Sequence, residues 1–207
     1  MIETVVFDLD DVILPTPPIF GTLAREHGIR ANPFRRFLRG AYRDSLTGEQ
    51  ELLELLPAYL ERWAFEGTPA HFLEAWFAAS PEPDPRAVAI VHTLRTAGIG
   101  CAVASNQDRH RGAFLESLPS LQELFPQRLY SHALGVAKPA PGFFQAVCEA
   151  LDLAPEQLLL LDDAARNVAT ARVCRWQAET CPTPDSLLAA VRRRFPGLGF
   201  RSPAQPD

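Results

Sequence analysis

Near its amino-terminal end the chain reads Ile2-Glu3-Thr4-Val5-Val6-Phe7-Asp8-Leu9-Asp10-Asp11, a mostly apolar run that ends abruptly in carboxylates. A short apolar run of this length is typical of a buried parallel β-strand. Open α/β sheets bind their ligands at the carboxyl ends of such strands. The sequence therefore predicts that chemistry takes place at Asp8 and Asp10.

The three acids in this stretch also predict a metal ion. Asp8, Asp10 and Asp11 would repel one another unless a cation were bound between them. Mg²⁺ is a hard divalent ion that prefers oxygen ligands of this kind. The alternative, a solvated acidic turn or a helix N-cap, explains one aspartate well and three poorly.

Lys138 is the second informative residue, because it is the one lysine in a chain with 19 arginines. It lies in the loop Gly135-Val136-Ala137-Lys138-Pro139-Ala140-Pro141, which Gly and Pro shape. Such a loop can present a compact ammonium group to a phosphate oxygen. The alternative is that a single lysine occurs there by chance.

Composition limits the classes of protein. The chain has 207 residues, 47% hydrophobic and 22% charged, which gives room for one core and a smaller appended module. A net charge of −5 argues against nucleic acid as a partner, and the absence of a long apolar stretch argues against a membrane span. We expect a small phosphorylated metabolite as the partner, and a monomer or small homo-oligomer.

The cysteines and the first residues bear on location. Cys101, Cys148, Cys174 and Cys181 show no C-x-x-C spacing, so free thiols fit better than a disulfide frame or a zinc site. The first residues lack the pattern of a signal peptide. We therefore expect a cytoplasmic protein.

Two Pro-rich stretches divide the chain. One holds Pro15, Pro17 and Pro18, and the other is Ser80-Pro81-Glu82-Pro83-Asp84-Pro85. Between them lies a helix-rich segment without a strong strand signal. The sequence predicts an α/β core domain formed by residues 1–14 and 84–207, and a small inserted helical cap formed by residues 15–83.

Beyond residue 84 the pattern alternates between helices and strands. Asp84 can cap a helix that Gly98 closes. Further strands are predicted at 99–104, 128–131, 158–161 and 176–180, and helices at 110–118, 141–151, 164–174 and 185–195. This alternation predicts an α/β, Rossmann-like fold, in which helices cover both faces of a mostly parallel sheet.

Two more predicted strands end in polar groups. The second leads into Ser105 and Asn106, which offer a hydroxyl donor and turn amides to an oxyanion. The fourth leads into Asp162 and Asp163, and Asn167 follows one helical turn later.

The order of these motifs resembles the haloacid dehalogenase-like (HAD) hydrolase superfamily, in its class with a small helical cap. Four motifs carry the resemblance: Val5-Val6-Phe7-Asp8-Leu9-Asp10, Ser105-Asn106, Gly135-Val136-Ala137-Lys138-Pro139 and Leu161-Asp162-Asp163-Ala164-Ala165-Arg166-Asn167. Within the superfamily, the chain is similar to bacterial sugar-phosphate phosphatases and to the phosphatase domain of soluble epoxide hydrolase.

The resemblance implies a role for each motif residue. Asp8 would be the nucleophile that forms an aspartyl-phosphate, and Asp10 would be the general acid and base. The phosphate would be bound by Ser105, the Asn106 amide and Lys138. Mg²⁺ would be bound by the Asp8 carboxylate, the Asp10 backbone carbonyl and Asp163. The metal ligands would be supported by Asp162 and Asn167. For Asp162 and Asn167, helix capping is an equally good interpretation.

The sequence departs from the family pattern in two places. Asp11 and Arg175 each stand where the family usually has Gly. Aspartate tolerates unusual backbone dihedrals better than most residues. Neither change removes a catalytic group.

Arg35, Arg39 and Arg43 recur every fourth residue, which predicts one helical face. They would either attract anionic substrates to the cleft or form a solvated face that balances nearby acids, and the second interpretation is the commoner one.

The leading functional hypothesis is a Mg²⁺-dependent phosphatase that hydrolyses a small phosphomonoester, for example a sugar phosphate. The alternatives are a sugar phosphomutase, a haloacid dehalogenase and a non-catalytic binding module. Dehalogenation needs neither a general acid nor a metal, so Asp10 and the pair Asp162-Asp163 argue against it.

Overall fold

Five parallel strands form one sheet in the computed structural model, which describes residues 1–15, 23, 25, 27–78 and 82–200. The strands are β1 (Thr4–Phe7), β2 (Gly100–Ser105), β3 (Gln127–Tyr130), β4 (Leu158–Asp162) and β5 (Gln177–Thr180). Their order is β3-β2-β1-β4-β5, and every neighbouring pair is parallel. The predicted parallel α/β sheet is confirmed.

Helices occupy most of the remaining described chain. They are α1 (Ala31–Arg39), α2 (Tyr42–Ser45), α3 (Leu52–Trp63), α4 (Pro69–Ala78), α5 (Pro85–Thr96), α6 (Arg109–Glu116), α7 (Pro119–Leu124), α8 (Ser131–Leu134), α9 (Pro141–Leu151), α10 (Ala165–Val173) and α11 (Pro184–Arg194), with a 3₁₀ turn at Pro155–Gln157. Within the described residues, no helix combines the length and the apolar character that a membrane crossing requires.

The predicted helix boundaries beyond residue 84 are close to those observed. As expected, Asp84 caps α5, where its Oδ1 accepts a 2.7 Å hydrogen bond from the Arg86 amide, and Gly98 adopts a left-handed φ of 79° after the helix. The short helices α7 and α8 were not predicted. Ser131 was wrongly assigned to the third strand, because it is the first residue of α8.

Helices cover both faces of the sheet. Side chains along β1 point alternately to the two faces, and both sets are buried. Val5 and Phe7 face one hydrophobic cluster, which includes Ile90 of α5 and Val191 of α11. Val6 faces the opposite cluster, which includes residues of α9 and α10. Each of these β1 residues is fully buried, so β1 is the central strand on both faces.

The helices between β1 and α5 have a hydrophobic cluster of their own. It is rich in aromatic rings; for example, Phe34 packs edge-on against Trp63 at 5.5 Å and against Trp76 at 5.1 Å between ring centroids. Residues 16–22 and 79–81, which include parts of both Pro-rich stretches, lie outside the described residues. The division into a 1–14 and 84–207 core and a 15–83 cap stays a prediction.

The chain leaves β1 through a tight turn and comes back beside it. The amides of Ile13 and Leu14 both donate to the Leu9 carbonyl, at 2.9 and 2.8 Å. Asp11 adopts a left-handed φ of 63° in this turn, a conformation that Gly adopts more readily than other residues. The Asp84 amide donates to the Ile13 carbonyl at 2.9 Å, so the chain returns next to the point where it left.

Arg175, the second departure from the family pattern, is also left-handed, with a φ of 71°. It follows the end of α10, where its amide donates to the Arg172 carbonyl and the Trp176 amide to the Ala171 carbonyl, both at 3.0 Å. This pattern is the Schellman motif, which normally carries Gly at the left-handed position.

We predict that Arg175→Gly stabilises the protein. A left-handed backbone costs a non-glycine residue about 1–2 kcal/mol, and the exposed ion pair that Arg175 makes with Glu156 contributes less than about 1 kcal/mol. Chemical denaturation should therefore show a free energy of unfolding about 0.5–1 kcal/mol higher than that of the wild type. Arg175→Ala is the matched control, since it loses the same ion pair but keeps the strain. Equal stability of the two variants would contradict this explanation.

Candidate active site

Asp8, Lys138 and Asp162 form a buried ionic triad at the carboxyl edge of the sheet. The Lys138 Nζ lies 2.9 Å from Asp8 Oδ2 and 2.7 Å from Asp162 Oδ2. The exposed fractions of the three side chains are 12% for Asp8, 1% for Lys138 and 0% for Asp162. The sheet order produces this arrangement, because β1 and β4 are neighbours and Asp8 and Asp162 stand at their adjacent ends.

The triad holds two carboxylates but one ammonium. Burial raises the pKa of Asp8 to about 7, although Lys138 opposes the shift. Burial alone would lower the pKa of Lys138, yet the nearby Asp8 and Asp162 carboxylates raise it above its usual value, so Lys138 stays charged. Lys138 cannot neutralise both carboxylates, and a further cation would be favourable at this site.

Asp163 brings a third carboxylate to the same place. Single oxygens of Asp8, Asp162 and Asp163 all lie within 4.8 Å of one another. Burial, and then the neighbouring Asp162 and Asp11 carboxylates, raise the pKa of Asp163. A cluster of oxygen ligands with excess negative charge fits Mg²⁺.

Asp162 differs from the other two carboxylates because its oxygens already have several protein donors. Besides Lys138, it accepts hydrogen bonds from the Ala164 amide at 2.9 Å and from Asn167 Nδ2 at 2.9 and 3.1 Å. Asp162 and Asn167 thus fix the start of α10 and the position of the ammonium. This geometry agrees with a supporting role for both residues and leaves Asp8 and Asp163 as the better metal ligands.

Ser105 and Asn106 lie beside the triad at the end of β2. Ser105 is buried, and its Oγ accepts a 3.0 Å hydrogen bond from Gln107 Nε2. The Asn106 side chain exchanges two hydrogen bonds with the Lys138 backbone, donating to the carbonyl at 2.9 Å and accepting from the amide at 2.8 Å. Asn106 therefore holds the lysine loop with its side chain, which leaves its main-chain amide for the predicted phosphate contact.

The Asp10 carboxylate is held by two residues that sequence reasoning missed. Gln107 Nε2 donates to Asp10 Oδ2 at 2.8 Å, and Arg111 Nη2 lies 3.0 Å from Asp10 Oδ1. Gln107 and Arg111 are 1% and 8% exposed. Gln107 directly follows the Ser105-Asn106 motif and Arg111 lies in the first turn of α6, but their burial, which is unusual for these residue types, is visible only in the structure.

Several contacts join the α1–α4 region to α6. Tyr42 donates its hydroxyl hydrogen to Asp108 Oδ2 at 2.8 Å, and Glu51 Oε1 lies 2.5 Å from His110 Nε2. Phe77 of α4 packs against Phe114 with the ring planes tilted by 32° and the ring centroids 5.6 Å apart, and the Phe77 centroid lies 5.8 Å from the Arg111 guanidinium carbon. Arg111, which contacts Asp10, thus also packs against the helical segment between β1 and α5.

A cavity of about 550 Å³ opens beside Lys138, and Arg39 and Arg43 line it from the helical segment. Arg35 does not line it. The prediction of a single helical face was wrong, because α1 ends at Arg39 and Gly40, with φ and ψ both −112°, separates it from α2. Two of the three arginines nevertheless reach the same cavity.

A parallel sheet with acidic side chains at the ends of its central strands is the arrangement in which open α/β proteins bind their ligands. The profile of the haloacid dehalogenase-like hydrolases matches residues 2–175, and the chain belongs to this family.

Solved structures share the fold. A predicted HAD-like family hydrolase from Porphyromonas gingivalis has a TM-score of 0.76 and 21% identity, over 94% of this chain and 98% of that one. A HAD family enzyme from Bacteroides thetaiotaomicron, in complex with magnesium and inorganic phosphate, has a TM-score of 0.73 and 17% identity, over 87% and 94%. L-2-haloacid dehalogenase from Xanthobacter autotrophicus, with chloropropionic acid covalently bound, has a TM-score of 0.69 and 18% identity, over 100% and 92%.

We predict that Mg²⁺ affinity falls as the pH drops from 8 to 6. Asp8 would bind a cation as the carboxylate, and its pKa of about 7 means that this form predominates only above that pH. Below the pKa, binding must displace a proton, so the apparent affinity should be about tenfold weaker at pH 6 than at pH 8. Calorimetric titration at pH 6 and pH 8 measures the difference. Asp8→Asn should reduce the pH dependence, whereas equal wild-type affinities at both pH values would contradict the assignment.

Proposed function

We propose that the protein is a Mg²⁺-dependent phosphatase, which hydrolyses a small phosphomonoester such as a sugar phosphate through an aspartyl-phosphate at Asp8. The observation that carries the proposal is the position of the Asp10 carboxylate. Gln107 and Arg111 hold both carboxylate oxygens of Asp10, which lies three residues beyond Phe7, the last residue of the central strand. A proton-transfer group so positioned is needed when the leaving group is an alkoxide, and serves no purpose when it is a halide.

Asp8 is placed for nucleophilic attack. Its Oδ1 accepts a 2.7 Å hydrogen bond from the Leu9 amide, and its Oδ2 faces the Lys138 ammonium. These contacts fix the carboxylate plane, so that one oxygen can attack phosphorus in line with the ester oxygen. The P–O bond to the leaving group breaks as the bond from Asp8 to phosphorus forms.

The surrounding donors stabilise the charge on the transferring group. Lys138, the Ser105 hydroxyl and the Asn106 main-chain amide converge at the ends of β1 and β2 and would bind the phosphoryl oxygens. Mg²⁺ would be held by Asp8, Asp163 and the Asp10 carbonyl, and would neutralise further charge on these oxygens.

Asp10 would then act twice. Protonated, it gives its proton to the departing alkoxide; as the resulting carboxylate, it accepts a proton from the water that attacks the aspartyl-phosphate. The phosphate leaves, Asp8 is regenerated and Asp10 is again protonated. Gln107 and Arg111 keep the carboxyl group at one orientation through both steps.

The proposal also includes the cellular location and the type of substrate of the enzyme. All four cysteines are free, and Cys101 and Cys181 are buried, which is compatible with the reducing cytoplasm. The net charge of −5 supports a small phosphorylated metabolite rather than nucleic acid as the substrate.

Phosphate release from a panel of sugar phosphates and 4-nitrophenyl phosphate tests the function. We expect hydrolysis with Mg²⁺, its loss after chelation and its recovery when Mg²⁺ is restored. Asp8→Asn should be inactive on every ester, because the nucleophile is missing. Including 2-chloropropionate tests the dehalogenase alternative. Halide release without any phosphate release, or full phosphatase activity after exhaustive chelation, would rule the proposal out.

We predict that Arg111→Met lowers kcat by roughly 10- to 100-fold, since a small misplacement of a catalytic group has an effect of this size. Gln107→Leu should have a similar effect, because each variant frees one Asp10 oxygen. Arg128→Met is the matched control, since Arg128 also pairs with a carboxylate, Glu116, at the far end of the same α6 helix. Steady-state kinetics on folded protein gives the comparison, and a control variant as impaired as Arg111→Met would refute the role assigned to Arg111.

A further inference from the structure

The cavity beside Lys138 is lined by residues from two parts of the structure. Arg39, Arg43 and Glu49 line it from the helical segment, and Asn106, Lys138 and Arg166 line it from the α/β core. The cavity is thus continuous with the lysine loop and extends to side chains that the proposed chemistry does not use. Whatever part of a substrate does not react can occupy this space.

The charges in the cavity are strongly unbalanced. Within the described part of the chain, Arg39, Arg43 and Arg166 make no ion pair, whereas Arg109 and Arg111 lie against Glu51 and Asp10. Glu49 is the one acidic residue among the lining side chains. Three guanidinium groups against one carboxylate give the outer cavity a net charge of +2, apart from Lys138, whose charge is already matched by Asp8 and Asp162.

The three arginines come from three separate elements. Arg39 ends α1, Arg43 belongs to α2 and Arg166 lies in the first turn of α10. A solvated helical face would explain Arg39 together with Arg35 and Arg36, but it does not explain why the chain brings Arg43 and the distant Arg166 to the same cavity. A shared anionic ligand explains all three.

We propose that this cavity binds a second, non-reacting phosphate of the substrate, so that the substrate class is a small bisphosphorylated metabolite. The inference rests on the proposed function, because it requires the first phosphoryl group to lie at Asp8. Guanidinium groups bind phosphate oxygens through paired hydrogen bonds, and a net charge of +2 matches a phosphate dianion better than a carboxylate. Arg39, Arg43 and Arg166 are specificity residues in this arrangement.

Matched linear substrates test the inference without assuming a particular sugar. The panel is the monophosphates of α,ω-alkanediols with chains from ethanediol to hexanediol, the corresponding bisphosphates, and the ω-phosphorylated carboxylic acids. At the best chain length, wild-type kcat/KM should be roughly tenfold or more higher for the bisphosphate than for the monophosphate, the size expected for hydrogen bonds to a charged group. The carboxylic acid should fall between them.

Variants identify the residues responsible. Arg39→Gln, Arg43→Gln and Arg166→Gln should each reduce the ratio of bisphosphate to monophosphate kcat/KM by several-fold or more, mainly through KM, since the contact is the same in the ground and transition states. Arg36→Gln is the control, because Arg36 is an exposed arginine of the same α1 helix that does not line the cavity. Its ratio should equal that of the wild type.

The outcomes separate the two proposals. If esters are hydrolysed but the ratio is near one at every chain length, or if the carboxylic acids are preferred, the second-phosphate site is wrong while the phosphatase stands. If no ester is hydrolysed, including 4-nitrophenyl phosphate, the proposed function fails. Equilibrium dialysis of the alkanediol bisphosphates and monophosphates with wild type and Arg166→Gln then tests the second-phosphate site without relying on hydrolysis. Equal binding of both ligands overturns the site. Tighter binding of the bisphosphate, lost in Arg166→Gln, supports it.

Discussion

The rest of the site depends on one buried ammonium group, that of Lys138, between the Asp8 and Asp162 carboxylates. Taking one member out of a buried ionic group costs on the order of 3–5 kcal/mol, because the remaining charges lose their compensation. Lys138 is therefore a structural link between β1, β4 and its own loop. It also fixes Oδ2 of Asp8, and it leaves the site with an excess of negative charge that favours a divalent cation.

The strand order makes this link possible. Because β1 pairs with β2 on one side and with β4 on the other, Asp8, Ser105 and Asp162 reach the same edge from three neighbouring strands. The Asn106 side chain then ties the lysine loop to the end of β2 through the Lys138 backbone. Gln107 and Arg111 extend the network to Asp10, and Arg111 contacts Phe77 of the helical segment. The orientation of the Asp10 carboxylate is thus linked to the packing of that segment.

The sequence was informative where a residue acts through its place in a strand. The apolar run before Asp8 predicted the central strand, and the unique lysine drew attention to a residue that lies buried beside Asp8. The roles of Gln107 and Arg111 could not be read in this way, since their partner Asp10 lies about a hundred positions away and no periodic pattern connects them. The face formed by Arg35, Arg39 and Arg43 was mispredicted because Gly40 ends α1, a local backbone event that spacing alone does not show.

The central claim is that Asp8 attacks phosphorus and that water later attacks the same phosphorus atom. Turnover of a phosphate ester in H₂¹⁸O tests it most directly, with mass spectrometry of the released phosphate and of the peptide that contains Asp8. The account predicts one ¹⁸O in each released phosphate, no label in the Asp8 carboxylate, and the mass of one bound phosphoryl group on the Asp8 peptide of protein quenched in acid during turnover. Label in the Asp8 carboxylate would mean that water attacks the aspartyl carbon, as hydrolysis of a carbon ester requires, and would contradict the account.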